Sequence, residues 1–440
     1  MVRGPSKTNG GNGLWRGAVL IVLLGLLLAG RSAFAQDGSI EQHFAAVPFQ
    51  QWATEGPKAD LPWHVRVTPP KLTLHQRIAV GIEIQVDGKE LVKRCCDGQA
   101  TALIEITDAQ GHACRNFVEK DLKDAQPAMR ESMVILSWQV FLLPGDYQAV
   151  AAFFYSGREP HSLAVQKIHV EPLRHDPLPD AWRDLPTVEF SDPQPEGLDE
   201  FLLPSVAGRL HLQLKTSRQV RLEIIANLTP YPSERRKPAL YTERLGVFLP
   251  ILKTLAQLGL ENGSLQESVL DLTRRSVIFD QPDIQGGSVP WAGLKEALSA
   301  NSAVSVNVDD LRQEEHLGDF LREEMTRRLA EGANDQILRV FILVSGPMDL
   351  GSRTLEISQP ADARFVLFYL KCNFLQSSAF VRHGQFSIEP VEPSEQALER
   401  GGPDGIARLL KGLRPRTFPV DSAQTMRQAL ATILAEISRM

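Results

Sequence analysis

Val220-Arg-Leu-Glu-Ile-Ile-Ala226 (VRLEIIA), followed at once by Asn227-Leu-Thr-Pro-Tyr231, is the stretch on which the reading of the fold turns. A continuous apolar-rich strand is what a parallel sheet requires when both of its faces are covered. Two later runs have the same character, Ile337 to Val344 (ILRVFILV) and Arg364 to Leu370 (RFVLFYL). Between Ala226 and Ile337 the period changes. Tyr241, Leu245, Phe248, Leu249, Leu252, Leu255 and Ala256 recur every three or four residues, which predicts a helix over 241–260, stopped by Asn262-Gly263. Val269–Leu272 and Ser276–Phe279, separated by Thr273-Arg274-Arg275, read as a hairpin. Further helices are expected near 290–300, over 311–331 with Leu317, Phe320, Leu321, Met325 and Leu329 on one stripe, and over 403–413. Arg416–Val420 reads as a last strand and 421–438 as a closing helix, opened by a capping box of Asp421 and Gln424.

Upstream, residues 63–171 alternate apolar and polar positions in short runs, among them Ile78–Val86, Ala102–Ile106, Met133–Val140, Tyr147–Phe154 and Leu163–Val170. About seven period-2 segments separated by turns predict an immunoglobulin-like β-sandwich. Pro144-Gly145-Asp146-Tyr147 reads as a turn followed by a buried aromatic. Residues 172–205 are rich in Pro and Asp and read as a linker that packs along a surface through Trp182, Val188, Phe190, Phe201 and Leu202. The expected division is therefore a leader at 1–35, an N-terminal extension at 36–60, a sandwich at 61–171, a linker at 172–205 and an α/β domain at 206–440.

The leader is read from three features in a row. Arg3, Lys7 and Arg16 precede an uncharged apolar run from Gly17 to Gly30, and Ala33-Phe34-Ala35 supplies a small-x-small site before Gln36. That is the layout of a secretory signal peptide cleaved after Ala35, and the run is short for a bilayer span. Export to a bacterial periplasm or the medium is expected, with no membrane span after cleavage. The whole chain has 440 residues and a net charge of −6. Loss of Arg3, Lys7, Arg16 and Arg31 takes that to −10. With a pI near 6.0, nucleic acid is not an expected partner. Four cysteines make no disulfide scaffold and no zinc spacing, but in an oxidising compartment Cys114 is placed to pair with Cys95 or Cys96.

The order strand, helix, hairpin, helix, helix, strand, strand, helix, strand, helix over 218–440 resembles a von Willebrand factor A (VWFA) domain. The ending GIARLLKGLRPRTFPVDSAQTMRQALATILAEI is similar to that family's closing helix, strand and helix, and VLDLTRRSVIFD fits its hairpin. With the sandwich in front, the layout resembles exported VWFA-related proteins of Acidobacteria-type bacteria. The resemblance implies a doubly wound, Rossmann-like α/β domain with a site beyond the carboxyl ends of its strands. It also implies a divalent-metal site there, built from Asp-x-Ser-x-Ser, a distant Thr and an Asp after the fourth strand. In this chain Asn227 stands in place of the first Asp, Thr229 and Tyr231 in place of the two Ser, and Ser345 in place of the fourth-strand Asp. No Thr falls near Asn307-Val308-Asp309-Asp310. Neutral oxygens without a carboxylate hold Mg²⁺ or Mn²⁺ poorly against water, so a degenerate, metal-free site is expected. A metal-dependent adhesin using Asp309 or Asp310 is the alternative.

Catalytic signatures are missing from the sequence: no GxSxG, no GxxxxGK[ST] and no HExxH. Ser345, with His316 or His383, is the best candidate for a hydrolytic nucleophile, and no motif supplies it with a base. The expectation is a non-enzymatic, exported protein that binds an unknown protein partner in the cell envelope, without a cofactor.

Overall fold

The computed structural model describes residues 39–94, 99–121, 129–130, 132–155, 161–191, 207–231, 238–284, 289–302, 316–331, 337–350, 356–359, 364–373, 381–382, 385–386 and 404–440. Residues 1–35, read in sequence as a leader, Cys95, Cys96, Asp309, Asp310 and His383 lie outside them. The chain divides into two compact units, one within 1–65, 84–136 and 147–167, the other within 66–83, 137–146 and 168–440.

The N-terminal half carries helix α1 (Phe49–Glu55), strands β1 (Trp63–Val67), β2 (Lys71–Leu72) and β3 (Ile78–Asp87), and helix α2 (Gly88–Arg94). Strands β4 (Gln99–Asp108), β5 (Ala113–Asp121), β6 (Met133–Leu142), β7 (Gly145–Tyr155), β8 (His161–Val170) and β9 (Val188–Phe190) follow. One sheet has the order β5-β4-β7-β8; another has β1-β3-β6-β9, with β2 on β3. In the first unit, β4 runs antiparallel to both β5 and β7, with Leu103 opposite Phe117 and Ala152. Its alternating inward residues form a core that Phe44, Val47, Phe49 and Trp52 of the N-terminal extension complete. Neither α1 nor α2 was expected, because each is a short helix without a full amphipathic period.

The second unit carries β10 (Leu212–Leu214), β11 (Val220–Asn227), α3 (Pro238–Leu255), β12 (Leu258–Leu260), β13 (Gly263–Asp271) and β14 (Ser276–Gln281). It continues with α4 (Trp291–Ser302), α5 (Leu317–Ala330), β15 (Leu338–Ser345), β16 (Phe365–Cys372), the short pair β17 (Val381–Arg382) and β18 (Gln385–Phe386), α6 (Gly405–Leu410), β19 (Arg416–Val420) and α7 (Ala423–Ser438). Six strands form one sheet in the order β14-β13-β11-β15-β16-β19, parallel except for the antiparallel edge strand β14. Side chains of β11 alternate between two apolar layers. Leu222, Ile224 and Ala226 join one with residues of α3, α4 and α7; Ile225 joins the other with residues of α5 and α6. The segment read as a linker packs within this unit. Asp176 receives a bidentate pair from Arg427 at 2.6 and 2.8 Å, and Trp182 Nε1 donates to the Gln76 carbonyl at 2.7 Å.

The expected fold class needs correction. Sequence patterning and the VWFA resemblance predict an immunoglobulin-like sandwich followed by a doubly wound, Rossmann-like α/β domain. Among the described residues strand outweighs helix, 41% against 29%, which makes this part of the protein mostly β. The helices expected in the C-terminal half are present, and they differ from the expectation at their ends. The segment expected to be helical to residue 260 leaves the helix at Leu255, and Leu258–Leu260 pairs with Leu212–Leu214 as two strands. No helix is described between β15 and β16, and α6 has only 6 residues. The described residues therefore do not show the regular strand–helix alternation that defines a doubly wound domain.

The cap of the closing helix also differs by one residue. Ser422, not Asp421, is the N-cap: its Oγ accepts from the Thr425 amide at 3.1 Å, and Thr425 Oγ1 accepts from the Ser422 amide at 2.9 Å. Among the described residues, no helix is long and apolar enough to cross a membrane.

Candidate functional site at the carboxyl ends of β11 and β15

Parallel pairing places the ends of β11 and β15 side by side, with Ala226 in register with Val344. The next residue on each strand, Asn227 and Ser345, is a small polar side chain at the mouth of an apolar sheet. Both are buried, 1% and 0% exposed, as is Thr229 at 0%. A buried polar group must find partners, and these three find them in one another. Asn227 Nδ2 donates to Ser345 Oγ at 3.0 Å. Asn227 Oδ1 accepts twice from Thr229, from its hydroxyl at 2.5 Å and its amide at 3.2 Å. Thr229 Oγ1 in turn accepts from the Leu272 amide at 2.7 Å, which ties the loop to the end of β13. Ser345 Oγ donates to the Gly346 carbonyl at 2.9 Å.

The identity of residue 227 decides how this network closes. An amide presents one acceptor and one donor, whereas a carboxylate presents only acceptors. With Asn, the Nδ2–H group supplies the donor that Ser345 Oγ accepts. A carboxylate there would set acceptor against acceptor unless Ser345 turned its own proton inward or a cation lay between.

Tyr231 closes the outer side. Its hydroxyl donates to the Pro347 carbonyl at 3.1 Å and lies so close to Gly346 that a Cβ there would clash with it. Arg244 of α3, buried and unsignalled by any motif, donates to the Thr229 carbonyl at 2.6 Å and to the Leu228 carbonyl at 3.3 Å. Its guanidinium stacks over the Tyr231 ring at 4.6 Å. The positive charge at this site is therefore a side chain of the protein, directed at loop carbonyls.

Carboxylates at neighbouring strand ends are engaged elsewhere. Asp271, one residue beyond the register partner of Asn227, accepts from the Thr273 and Arg274 amides at 3.0 and 3.2 Å. Asp404 caps α6 through the Ala407 amide at 3.0 Å and pairs with Lys371 at 3.1 Å. Asp421 accepts from Asn373 Nδ2 at 2.7 Å. Among the described residues, no three His, Cys, Asp or Glu side chains assemble where they would hold a metal ion. Asp309 and Asp310, the carboxylates of the adhesin alternative, lie outside the described residues.

Four of the residues singled out in sequence, Asn227, Thr229, Tyr231 and Ser345, thus meet in one place. Ser345 Oγ is bonded to an amide and a carbonyl, and His316 stands at the start of α5, hydrogen-bonded to Asp319 at 3.0 Å. Cys114 is half-buried on β5, and its expected partners Cys95 and Cys96 lie outside the described residues. Cys372 is buried in the core; desolvation pushes its thiol well above the usual range.

No family model and no curated protein matches this chain. Several solved structures are weakly similar. A conserved hypothetical protein BatB from Bacteroides thetaiotaomicron is 10% identical with a TM-score of 0.22, covering 50% of this chain and 100% of that one. A structural-genomics target, SoR45, is 14% identical with a TM-score of 0.16, covering 26% of this chain and 92% of that one. A family 2 glycosyl hydrolase from Bacteroides cellulosilyticus is 10% identical with a TM-score of 0.18, covering 70% of this chain and 38% of the hydrolase. Likenesses this weak carry no argument about what the protein does.

Proposed function

We propose that this is an exported, non-enzymatic binding protein that meets a protein partner in the cell envelope without a divalent metal. One observation carries the reading: the Asn227–Ser345 hydrogen bond at 3.0 Å, inside a network in which Asn227 Oδ1, Thr229 Oγ1 and Ser345 Oγ are all engaged. Oxygens turned inward in this way offer a hard cation neither a carboxylate nor an open coordination position. The same closure disfavours Ser345 as a nucleophile, because its buried hydroxyl is held by an amide and a carbonyl, with no base bonded to it among the described residues. The VWFA resemblance enters only through the place of these residues at the strand ends. The leader read over residues 1–35 supports the envelope location.

The test is crosslinked capture from an envelope extract, run in parallel with EDTA and with Mg²⁺. We expect the same partner at equal yield in both arms, reduced at least tenfold by Tyr231→Ala at the rim of the loop. Recovery of no crosslinked partner, or recovery only with Mg²⁺, would overturn the reading.

A further inference from the structure

Glu267 lies in the middle of β13, in register with Ile224 of β11 and Gln281 of β14. Alternation along the strand aims it inward with Leu265 and Val269, both members of the apolar layer built with α3, α4 and α7. Its neighbour Ser268 faces the other way and donates to Asp280 at 2.6 Å. Glu267 is 0% exposed, and neither carboxyl oxygen has a hydrogen-bond partner among the described residues.

Among the described residues, none of the charged groups on the surrounding elements hydrogen-bonds to Glu267. On β11, Glu223 faces the opposite layer, where it pairs with Arg339 at 2.8 Å, and Arg221 joins it at 3.2 Å. On β14, Asp280 is taken by Ser268 and Gln266. On α3, Arg244 serves the loop carbonyls and Lys253 lies over the Trp291 ring at 5.9 Å. On α4, Lys295 and Glu296 stand on a helix whose buried residues in this layer are Leu294 and Leu298. On α7, Arg427 is held by Asp176. Among the described residues none of these forms an ion pair with Glu267, and the apolar enclosure favours the neutral carboxyl.

We propose that Glu267 is a proton-linked latch: protonated, it lets the β13–β14 edge hairpin and α4 close against this face of the sheet, and its ionisation releases them. Three features place the effect here. β14 is an edge strand with one sheet neighbour. The β13–β14 ladder shifts register between Val269 and Leu270, two residues beyond the carboxyl. The end of β13 then reaches the candidate site, because the Leu270 carbonyl accepts from the Leu228 amide at 3.1 Å and the Leu272 amide donates to Thr229. Loosening β13 withdraws the support of the 227–231 loop. That last link rests on the binding reading given above; the latch itself does not.

Burial pushes the Glu267 carboxyl up to about 8 from its ordinary 4.5. The opened form takes the ordinary value, so opening releases a proton between these limits. The opening equilibrium then rises about tenfold per pH unit from 4.5 to 8 and is level above 8.

Hydrogen exchange by mass spectrometry on the full chain, at pH 5.5 and 7.5 and corrected for intrinsic rates, reads this directly. We expect peptides covering β13, β14 and α4 to lose about hundredfold in protection over that interval, while β15 on the far side of β11 changes little. Glu267→Gln and Glu267→Leu should both abolish the difference; the second serves if the first fails to fold. Equal protection of wild type at the two pH values, or the same pH slope in both variants, would overturn the latch. Because no partner enters the measurement, its failure leaves the capture result standing, and the converse holds too.

Discussion

Asn227 turns a strand end that resembles a cation site into a hydrogen-bonded closure. Its amide offers one acceptor and one donor, and both are used: two bonds arrive at Oδ1 and one leaves Nδ2 for Ser345. Removing a side chain from such a network strands its partners, and each buried polar group left unpaired costs about 1–3 kcal/mol. Asn227→Ala should therefore destabilise the protein by about 2–4 kcal/mol, read as a fall in the urea midpoint at unchanged slope. An effect below about 0.5 kcal/mol, the level of an ordinary surface change, would mean that the network carries no weight. The four residues of this cluster were legible in the sequence because each lies within a few positions of the end of an apolar strand. Arg244 and Glu267 were not. Arg244 sits on a helix face where arginine usually meets water, and Glu267 looks like one polar position in an alternating strand. Only pairing between elements shows that the first stacks on Tyr231 and that the second is enclosed.

Among the elements, α5 is joined to the sheet by charge as well as by its apolar stripe. Glu223 of β11 meets Arg339 at 2.8 Å and Arg328 at 3.4 Å, and Arg328 meets Glu324 at 2.7 Å, all buried. Arg339 also donates to the carbonyls of Arg328 and Glu331 at the end of α5. Buried pairs of this kind need not add stability against an apolar replacement, but breaking one leaves an uncompensated charge and costs about 3–5 kcal/mol. Arg339→Ala is expected to fall in that range by chemical denaturation, whereas Arg339→Met together with Glu223→Leu should recover most of the loss. If the single and double variants were equally unstable, lost packing rather than a stranded charge would account for the cost. Sequence placed these strands well, because a run such as ILRVFILV is apolar on both faces. It placed helix boundaries less well. Asp421-Ser422-Ala423-Gln424-Thr425 holds two overlapping capping signatures, and the structure uses Ser422 with Thr425. Leu258–Leu260 continues the helical spacing of α3, yet it pairs with Leu212–Leu214, a long-range choice that no local pattern reports.

For the molecule as a whole, apolar patterning located the buried strands and the C-terminal helices to within a few residues, but strand outweighs helix among the described residues, and the expected fold class gives way to a mostly β one. The site did not depend on that balance. Its residues meet because β11 and β15 are parallel neighbours, and register alone aligns their ends. Charge is what distinguishes these strand ends from a cation site: the positive group there is Arg244, and the oxygens around it are satisfied by amides and hydroxyls. Calorimetric titration of the chain from Gln36 onward with Mg²⁺ and with Mn²⁺ tests this most directly. We predict no site tighter than millimolar for either ion, whereas a micromolar isotherm that disappears in Asn227→Ala would contradict a metal-free closure.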